Sequence, residues 1–133
     1  MYADQMMQSH PHVKGSANTA LIASVEACYA CAQACTSCAD ACLGEPMAQQ
    51  LTQCIRLNLD CADICGATGS VSTRRSGSNE ETLGDMLRAC ARICVLCAEE
   101  CRRHAAIHAN CRICADACIA CALSCERALD SIK

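Results

Sequence analysis

The sequence of 133 residues has no phenylalanine or tryptophan and only two tyrosines. Any apolar core must therefore consist of Ala, Leu, Ile, Val, Met and Cys side chains. A formal net charge of −3 leaves no basic surface for nucleic acid, so we expect no nucleic-acid partner. Charged or polar side chains interrupt every long apolar run, which predicts that no segment spans a membrane. The length fits about one domain.

The first fifteen residues also do not read as an export signal, because they have no basic start, no apolar stretch and no small-residue cleavage site. We therefore expect a cytoplasmic protein, in a reducing compartment that disfavours disulfides. The chain nevertheless has 17 cysteines, an odd number that one monomer cannot pair completely. These observations predict free thiols.

Local signals divide the chain into a polar N-terminal arm, residues 1–15, and a helical domain, residues 16–133. Ser16 is a candidate N-cap for the first helix, and Gly44 and Pro46 suit its end and the start of the second. Ser78 and Glu81 form a capping-box pattern before the third helix. The predicted helices cover about 16–43, 46–68, 79–104 and 109–131, with a loop over 69–79.

The break between the third and fourth helices has an alternative. No glycine or proline lies between Cys101 and Cys111, so one continuous helix over 80–131 would also fit. We favour a break because the cysteine spacing changes phase there. A break also yields four segments of similar length, as an antiparallel bundle requires.

The cysteines recur at alternating gaps of three and four residues in the first, third and fourth predicted helices, and in the second when Asn58 is counted with them. An average of 3.5 keeps one helix face directed at its partners, which predicts an all-α, antiparallel four-helix bundle with a cysteine-lined core. Free cysteine packs as a small hydrophobe, so an ordinary bundle interface would share this spacing. It would not explain why cysteine replaces leucine so often. The series comprise Cys28, Cys31, Cys35, Cys38 and Cys42; Cys54, Cys61 and Cys65; Cys90, Cys94, Cys97 and Cys101; and Cys111, Cys114, Cys118, Cys121 and Cys125.

Three other residues continue these series. Asn58 fills the missing position between Cys54 and Cys61, and His104 and His108 extend the third series beyond Cys101. In an antiparallel bundle the two histidines lie at one end, together with Met47. Leucine, isoleucine and valine side chains collect at the other end. We therefore predict one polar, sulfur-rich end and one apolar end.

Clustered thiolates bind soft metals such as Cu(I), zinc or iron–sulfur clusters. Cysteines three or four residues apart on a helix have Cβ atoms about 5–6 Å apart, and a metal–sulfur bond is about 2.3 Å, so two of them can hold one ion between them. Cu(I) accepts such two- or three-coordinate binding, whereas structural zinc requires four ligands. The C-x2-C-x2-C-x3-C-P motif of iron–sulfur proteins does not occur. The spacing favours Cu(I).

Charge balance predicts how many metal ions one chain can bind. Buried thiols are neutral without metal, and each Cu(I) displaces about one proton per thiolate. With bridging sulfurs, about one copper ion per cysteine keeps the core near neutrality, which predicts about a dozen or more ions per chain. Such a capacity is typical of a store rather than a single-site sensor.

Over residues 17–131 this pattern, with its C-x2-C-x3-C-x2-C-x3-C series, resembles the bacterial cytosolic copper storage proteins. The resemblance implies a four-helix bundle, usually a homotetramer, that holds many Cu(I) ions along its core. It implies thiolate ligands and a histidine-lined open end, which here correspond to the 17 cysteines with His104 and His108. Asn58 departs from an all-cysteine series and is either a hydrogen-bonding spacer or a further ligand.

Three other functions are consistent with the sequence: a zinc or other soft-metal store, a thiol redox protein, and a structural bundle with incidental cysteines. C-x-x-C pairs lie inside helices here, without the βαβ context of thioredoxin-like proteins. Acidic residues such as Asp63, Glu99 and Glu100 are expected on solvated helix faces. They form no paired-carboxylate catalytic pattern, so we expect no enzyme.

Overall fold

The computed structural model describes residues 2–13 and 15–132, and Met1, Lys14 and Lys133 lie outside this range. The described residues form five α-helices and one short 3-10 helix, Ala48–Leu51. The α-helices are α1 (Ala3–Gln8), α2 (Thr19–Leu43), α3 (Thr52–Thr73), α4 (Glu80–Arg102) and α5 (Ala109–Ser131).

Helices α2 to α5 pack as a four-helix bundle. Helix α2 contacts α3 and α5, and α4 contacts the same two helices, so α2 and α4 face each other diagonally. Short connections join consecutive helices, which makes neighbours antiparallel. The prediction of an antiparallel four-helix bundle with a cysteine-lined core is confirmed.

The first bundle helix begins three residues later than predicted. Asn18, rather than Ser16, is the N-cap of α2, and its Oδ1 accepts a hydrogen bond from the backbone N–H of Leu21 at 3.0 Å. Asn18 Nδ2 also donates to Ser131 Oγ at 2.8 Å. The cap therefore also ties the start of α2 to the end of α5, a long-range contact that local sequence does not indicate.

Helix α3 also differs from its predicted range of 46–68. The 3-10 helix occupies the chain after Pro46, and α3 then continues through Gly69 and Ser70 to Thr73. Thr68, Gly69 and Ser72 are buried on one face of this last part. Packing against neighbouring helices outweighs the loop-like composition of the segment.

The connections around α4 settle two further points. Asn79 is the N-cap and makes no side-chain capping bond, so the capping box predicted from Ser78 and Glu81 is not formed. The helix ends at Arg102, and residues 103–108 form a turn before α5. The continuous helix over 80–131 does not occur.

The N-terminal arm contains a helix, which the sequence did not indicate. Helix α1 packs against α2, and Met7 is only 4% exposed. Met7 belongs to the same apolar cluster as Leu21, Val25 and Leu83. The arm therefore covers the apolar end of the bundle, and Met7 is the side chain that it buries there.

Candidate metal centre

All 17 cysteines are free thiols that lie in the bundle interior. None is more than 2% exposed. Helix α2 contributes five, α3 three, α4 four and α5 five, because spacings of three and four place every one of them on the inward face. We refer to these side chains together as the thiol core.

The sulfur atoms of the thiol core form groups that could hold metal ions, with all Sγ atoms of a group within 4.8 Å of one another. Each four-membered group draws sulfurs from at least three helices. The groups include Cys28, Cys90, Cys121 and Cys125; Cys31, Cys65, Cys94 and Cys121; Cys31, Cys35, Cys61 and Cys118; Cys35, Cys97, Cys114 and Cys118; and Cys38, Cys42 and Cys111.

The four-membered groups share sulfurs with one another, so these groups form one continuous array. Cys31, Cys35, Cys118 and Cys121 each belong to two groups. Sulfur–sulfur distances across helices are 3.6 Å for Cys65 with Cys94 and 3.8 Å for Cys31 with Cys118. A thiolate in such an array can bridge two soft ions, so the arrangement suits many metals rather than one closed site.

Asn58 lies fully buried among these sulfurs. Its Oδ1 accepts hydrogen bonds from the thiols of Cys97 at 3.1 Å, Cys114 at 3.2 Å and Cys101 at 3.4 Å. Its Nδ2 lies 3.7 Å from Cys54 Sγ. The amide thus makes the hydrogen bonds expected of a spacer, and its oxygen faces the sulfurs of three thiols.

The two predicted histidines meet at one end of the bundle, which we call the open end. His104 and His108 line a cavity of about 380 Å³ together with Met47 and Glu45. His104 Nε2 lies 2.9 Å from Glu100 Oε2, and His108 Nδ1 lies 3.4 Å from Glu45 Oε1. Imidazole ligands of metals often have such carboxylate partners, which fix the ring orientation.

Glu100 is not on a solvated helix face, as the sequence suggested. It is 9% exposed, and its two carboxylate oxygens bind His104 and Arg103. Sequence periodicity missed it because the turn after α4 folds His104 back over this position. An acidic residue four positions before a histidine was the available signal.

The opposite end is closed by apolar side chains. Leu21, Val25, Leu83 and Leu87 are at most 3% exposed there, and Met7 packs on them. Next to this end, Met7 lines a cavity with His12, Asn18 and Arg75.

Cys42 and Cys111, two thiols near the open end, are protonated at neutral pH in the apo protein. Burial, followed by the charge on Cys38, raises the pKa of Cys42 to about 11. Burial likewise raises the pKa of Cys111. A metal ion that binds these sulfurs must therefore displace protons.

Sequence analysis also missed Asn110. Its Nδ2 lies 3.4 Å from Cys38 Sγ, 3.5 Å from Cys42 Sγ and 3.7 Å from Cys111 Sγ. The residue falls outside the cysteine series, and only the packing of α5 against α2 brings it to these sulfurs.

A helical bundle whose interior is filled with contiguous thiols, open at a histidine-lined end, defines a class of multi-ion, soft-metal-binding proteins. Among the described residues, no helix combines the length and apolar character needed to cross a bilayer. The chain belongs to the copper storage protein family, whose family model matches residues 7–130.

Solved structures of related proteins agree with this assignment. The copper storage protein Ccsp from Streptomyces lividans, loaded with 10 copper equivalents, is 42% identical and superposes with a TM-score of 0.92 over 97% of this chain and 98% of its own. A cytosolic copper storage protein from Streptomyces lividans with five coppers is 47% identical, with a TM-score of 0.83 over 84% and 93% of the two chains. Cu(I)-bound BsCsp3 is 37% identical, with a TM-score of 0.68 over 78% and 92%.

Proposed function

We propose that this protein stores and buffers many Cu(I) ions in the cytosol by binding them to the thiol core. The observation that carries the proposal is the continuity of the sulfur groups, which share members along the bundle. A protein that needed one zinc or one redox pair would not require sulfur along the entire interior. The copper-loaded state of the Streptomyces lividans relatives supports the same role.

The ligands in this proposal are the 17 cysteine thiolates, with His104 and His108 as ligands for ions that pass through the open end. Each thiol that becomes a copper ligand loses its single S–H proton, so at about one Cu(I) per cysteine the metal and proton charges exchange without a stranded buried charge. Bridging thiolates give a capacity of about a dozen or more ions per chain. Asn58 serves as a hydrogen-bonding spacer, and its Oδ1 is the additional candidate ligand.

The protein in this role binds its cargo stoichiometrically and turns over no substrate, so we propose that it is not an enzyme. We also propose a homotetramer, as the family resemblance implies. Leu59, Ile113 and Leu123 on the outer faces of the bundle are 45%, 54% and 46% exposed and could contribute to subunit contacts. Sedimentation analysis of the apo and loaded protein measures the subunit number, and a monomer at micromolar concentration would contradict this part.

The central experiment is anaerobic titration of the fully reduced protein with Cu(I) against a competing chelator. We expect more than about a dozen ions per chain to be retained, in proportion to the thiolate number. Saturation at one or two equivalents would contradict storage.

Zinc is the competing cargo because groups of four sulfurs within 4.8 Å can surround a tetrahedral ion. Cells grown with excess copper and zinc therefore provide the matching test. Metal analysis of the purified protein should show copper far above zinc, and the reverse ratio would favour a zinc store.

A further inference from the structure

Asn110 makes the contacts on which this inference is based. It is the second residue of α5, directly before Cys111, and its side chain turns toward α2. The amide nitrogen Nδ2 carries two hydrogens and lies within 3.7 Å of the sulfurs of Cys38, Cys42 and Cys111. Sulfur acceptors form longer hydrogen bonds than oxygen, and these distances fall in that range.

The three sulfurs around Asn110 belong together. They form one of the groups whose Sγ atoms all lie within 4.8 Å of each other, and Cys42 Sγ lies 3.9 Å from Cys111 Sγ. Cys42 ends its cysteine series on α2 and Cys111 begins the series on α5. We call these three residues the end triad, since they lie closer to the open end than the groups of four.

The two amides that touch the thiol core have opposite polarity. Asn58 presents its oxygen to Cys97, Cys101 and Cys114, which suits protonated thiols that donate hydrogen bonds. Asn110 presents its nitrogen to the end triad, which suits sulfurs that carry negative charge.

We propose that Asn110 is a positioning residue for copper at the end triad: its amide N–H groups stabilise the metal-bound thiolates of Cys38, Cys42 and Cys111. The inference rests on the proposed copper-storage function and adds a residue outside the cysteine series to it. A Cu(I) ion that binds two or three of these thiols releases one proton to solvent per Cu–S bond. The resulting complex carries net negative charge, which the N–H donors offset.

The Asn110→Asp variant tests the donor role with almost no change in shape. An aspartate has no N–H to donate and adds negative charge beside the thiolates. In the first turn of α5 an acidic residue also favours the helix, so this change should not unfold the bundle. Asn79→Asp is the matched control, because Asn79 lies at the start of α4, is exposed, and makes no side-chain capping bond.

The measurement follows copper release at individual cysteines. The full-length protein is loaded with Cu(I) anaerobically and equilibrated with increasing concentrations of a Cu(I) chelator. An alkylating reagent then marks every sulfur that has lost its metal, and mass spectrometry locates the marks. In Asn110→Asp we expect the end triad to be half alkylated at a chelator concentration about tenfold lower than the wild type requires. The remaining cysteines and the Asn79→Asp control should follow the wild type.

Asn110→Ala is the second variant, since it removes the donor without adding charge. It should shift the end triad in the same direction by a smaller factor. Unchanged release from the end triad in both variants, or an equal shift at all cysteines, would overturn the inference. A shift in Asn110→Asp alone would assign the effect to added charge and would also overturn it. A wild-type chain that retains no copper would instead overturn the proposed function.

Discussion

The hydrogen bonds that a polar side chain makes with the thiol core depend on which of its atoms faces the sulfurs. Asn58 Oδ1 is shared by three thiols that would otherwise have no oxygen acceptor. His104 and His108 each contact a carboxylate through one ring nitrogen, and under the proposed function the second nitrogen of each imidazole binds an incoming ion. The acceptor role of Asn58 and the access role of the histidines make separate predictions.

Asn58→Ala removes a buried acceptor and leaves space in a closely packed interior. We expect the reduced apo protein to lose about 1–3 kcal/mol of unfolding free energy, because three thiols lose an amide oxygen acceptor and a cavity forms. Urea unfolding followed by circular dichroism measures this loss. Asn79→Ala, at an exposed position, is the control and should unfold like the wild type. Equal stability of Asn58→Ala and the wild type would show that the hydrogen bonds contribute nothing.

The double variant His104→Ala/His108→Ala tests access through the open end. Copper uptake from a chelator complex and release to it should both slow, while the number of ions at saturation stays within about two of the wild type, since the thiol core is intact. Stopped-flow absorbance at the charge-transfer band of Cu(I)–thiolate measures both rates. His10→Ala/His12→Ala provides a control pair outside the open end. Unchanged rates would end the role proposed for the two histidines.

The sequence predicted the helices well where the cysteine spacing followed the helical period, and it predicted the helix ends less well. The gaps of three and four predicted the inward face of each bundle helix, and every cysteine is buried there. Helix ends depended on contacts between distant residues, such as Asn18 with Ser131, or the buried Thr68 and Ser72 of α3. Asn110 was missed for the same reason, because it reaches Cys38 and Cys42 on α2. Glu100 was missed although its partners Arg103 and His104 are local, because it does not repeat with the helical period of the cysteines.

Two glycines of α3 test this tertiary control of an element. A Cβ added at Gly66 would meet nothing within 4 Å, whereas one at Gly69 would lie 3.0 Å from Tyr29 Cζ. Gly66→Ala should raise the unfolding free energy by about 0.5–1 kcal/mol through helix propensity. Gly69→Ala gains the same propensity but must displace the Tyr29 ring, so we expect it to be about 1–2 kcal/mol less stable than Gly66→Ala.

The second part of this test removes the aromatic ring of Tyr29 by substitution. In a Tyr29→Ala background the difference between the two glycine variants should largely disappear, because nothing then opposes the new methyl group at Gly69. Thermal unfolding of the reduced apo proteins gives the stabilities of the wild type, Tyr29→Ala, both glycine variants and both double variants. A difference that persists without Tyr29 would place its cause elsewhere in α3.

At the scale of the whole molecule, the bundle is folded around 17 buried thiols, which under the proposed function exchange protons for metal. The packed thiols provide the apolar core that aromatic side chains provide in most domains. Leu21, Leu83 and Met7 close one end, and under the proposed function exchange proceeds from the histidine-lined end. The stability of the apo protein is therefore linked to thiol protonation, and metal removes that link.

This linkage predicts how stability depends on pH. Burial raises the pKa of Cys42 from 9.0 to about 11 in the folded protein and raises that of Cys111 as well. The unfolded chain loses these protons first as the pH rises, so the stabilisation is fully present below pH 9 and is lost between about pH 9 and 11. The urea midpoint of the reduced apo protein, measured anaerobically at pH 7.5, 9, 10 and 10.5, should fall across this window.

The copper-loaded protein is the control for that fall. Its sulfurs carry metal in place of protons, so its midpoint should change much less between pH 9 and 10.5, and the remaining change reports lysine and tyrosine titration. Parallel curves for the apo and loaded forms would show that thiol protonation does not stabilise the fold. A falling apo curve beside a flat loaded curve would identify the buried protons as the groups that copper replaces.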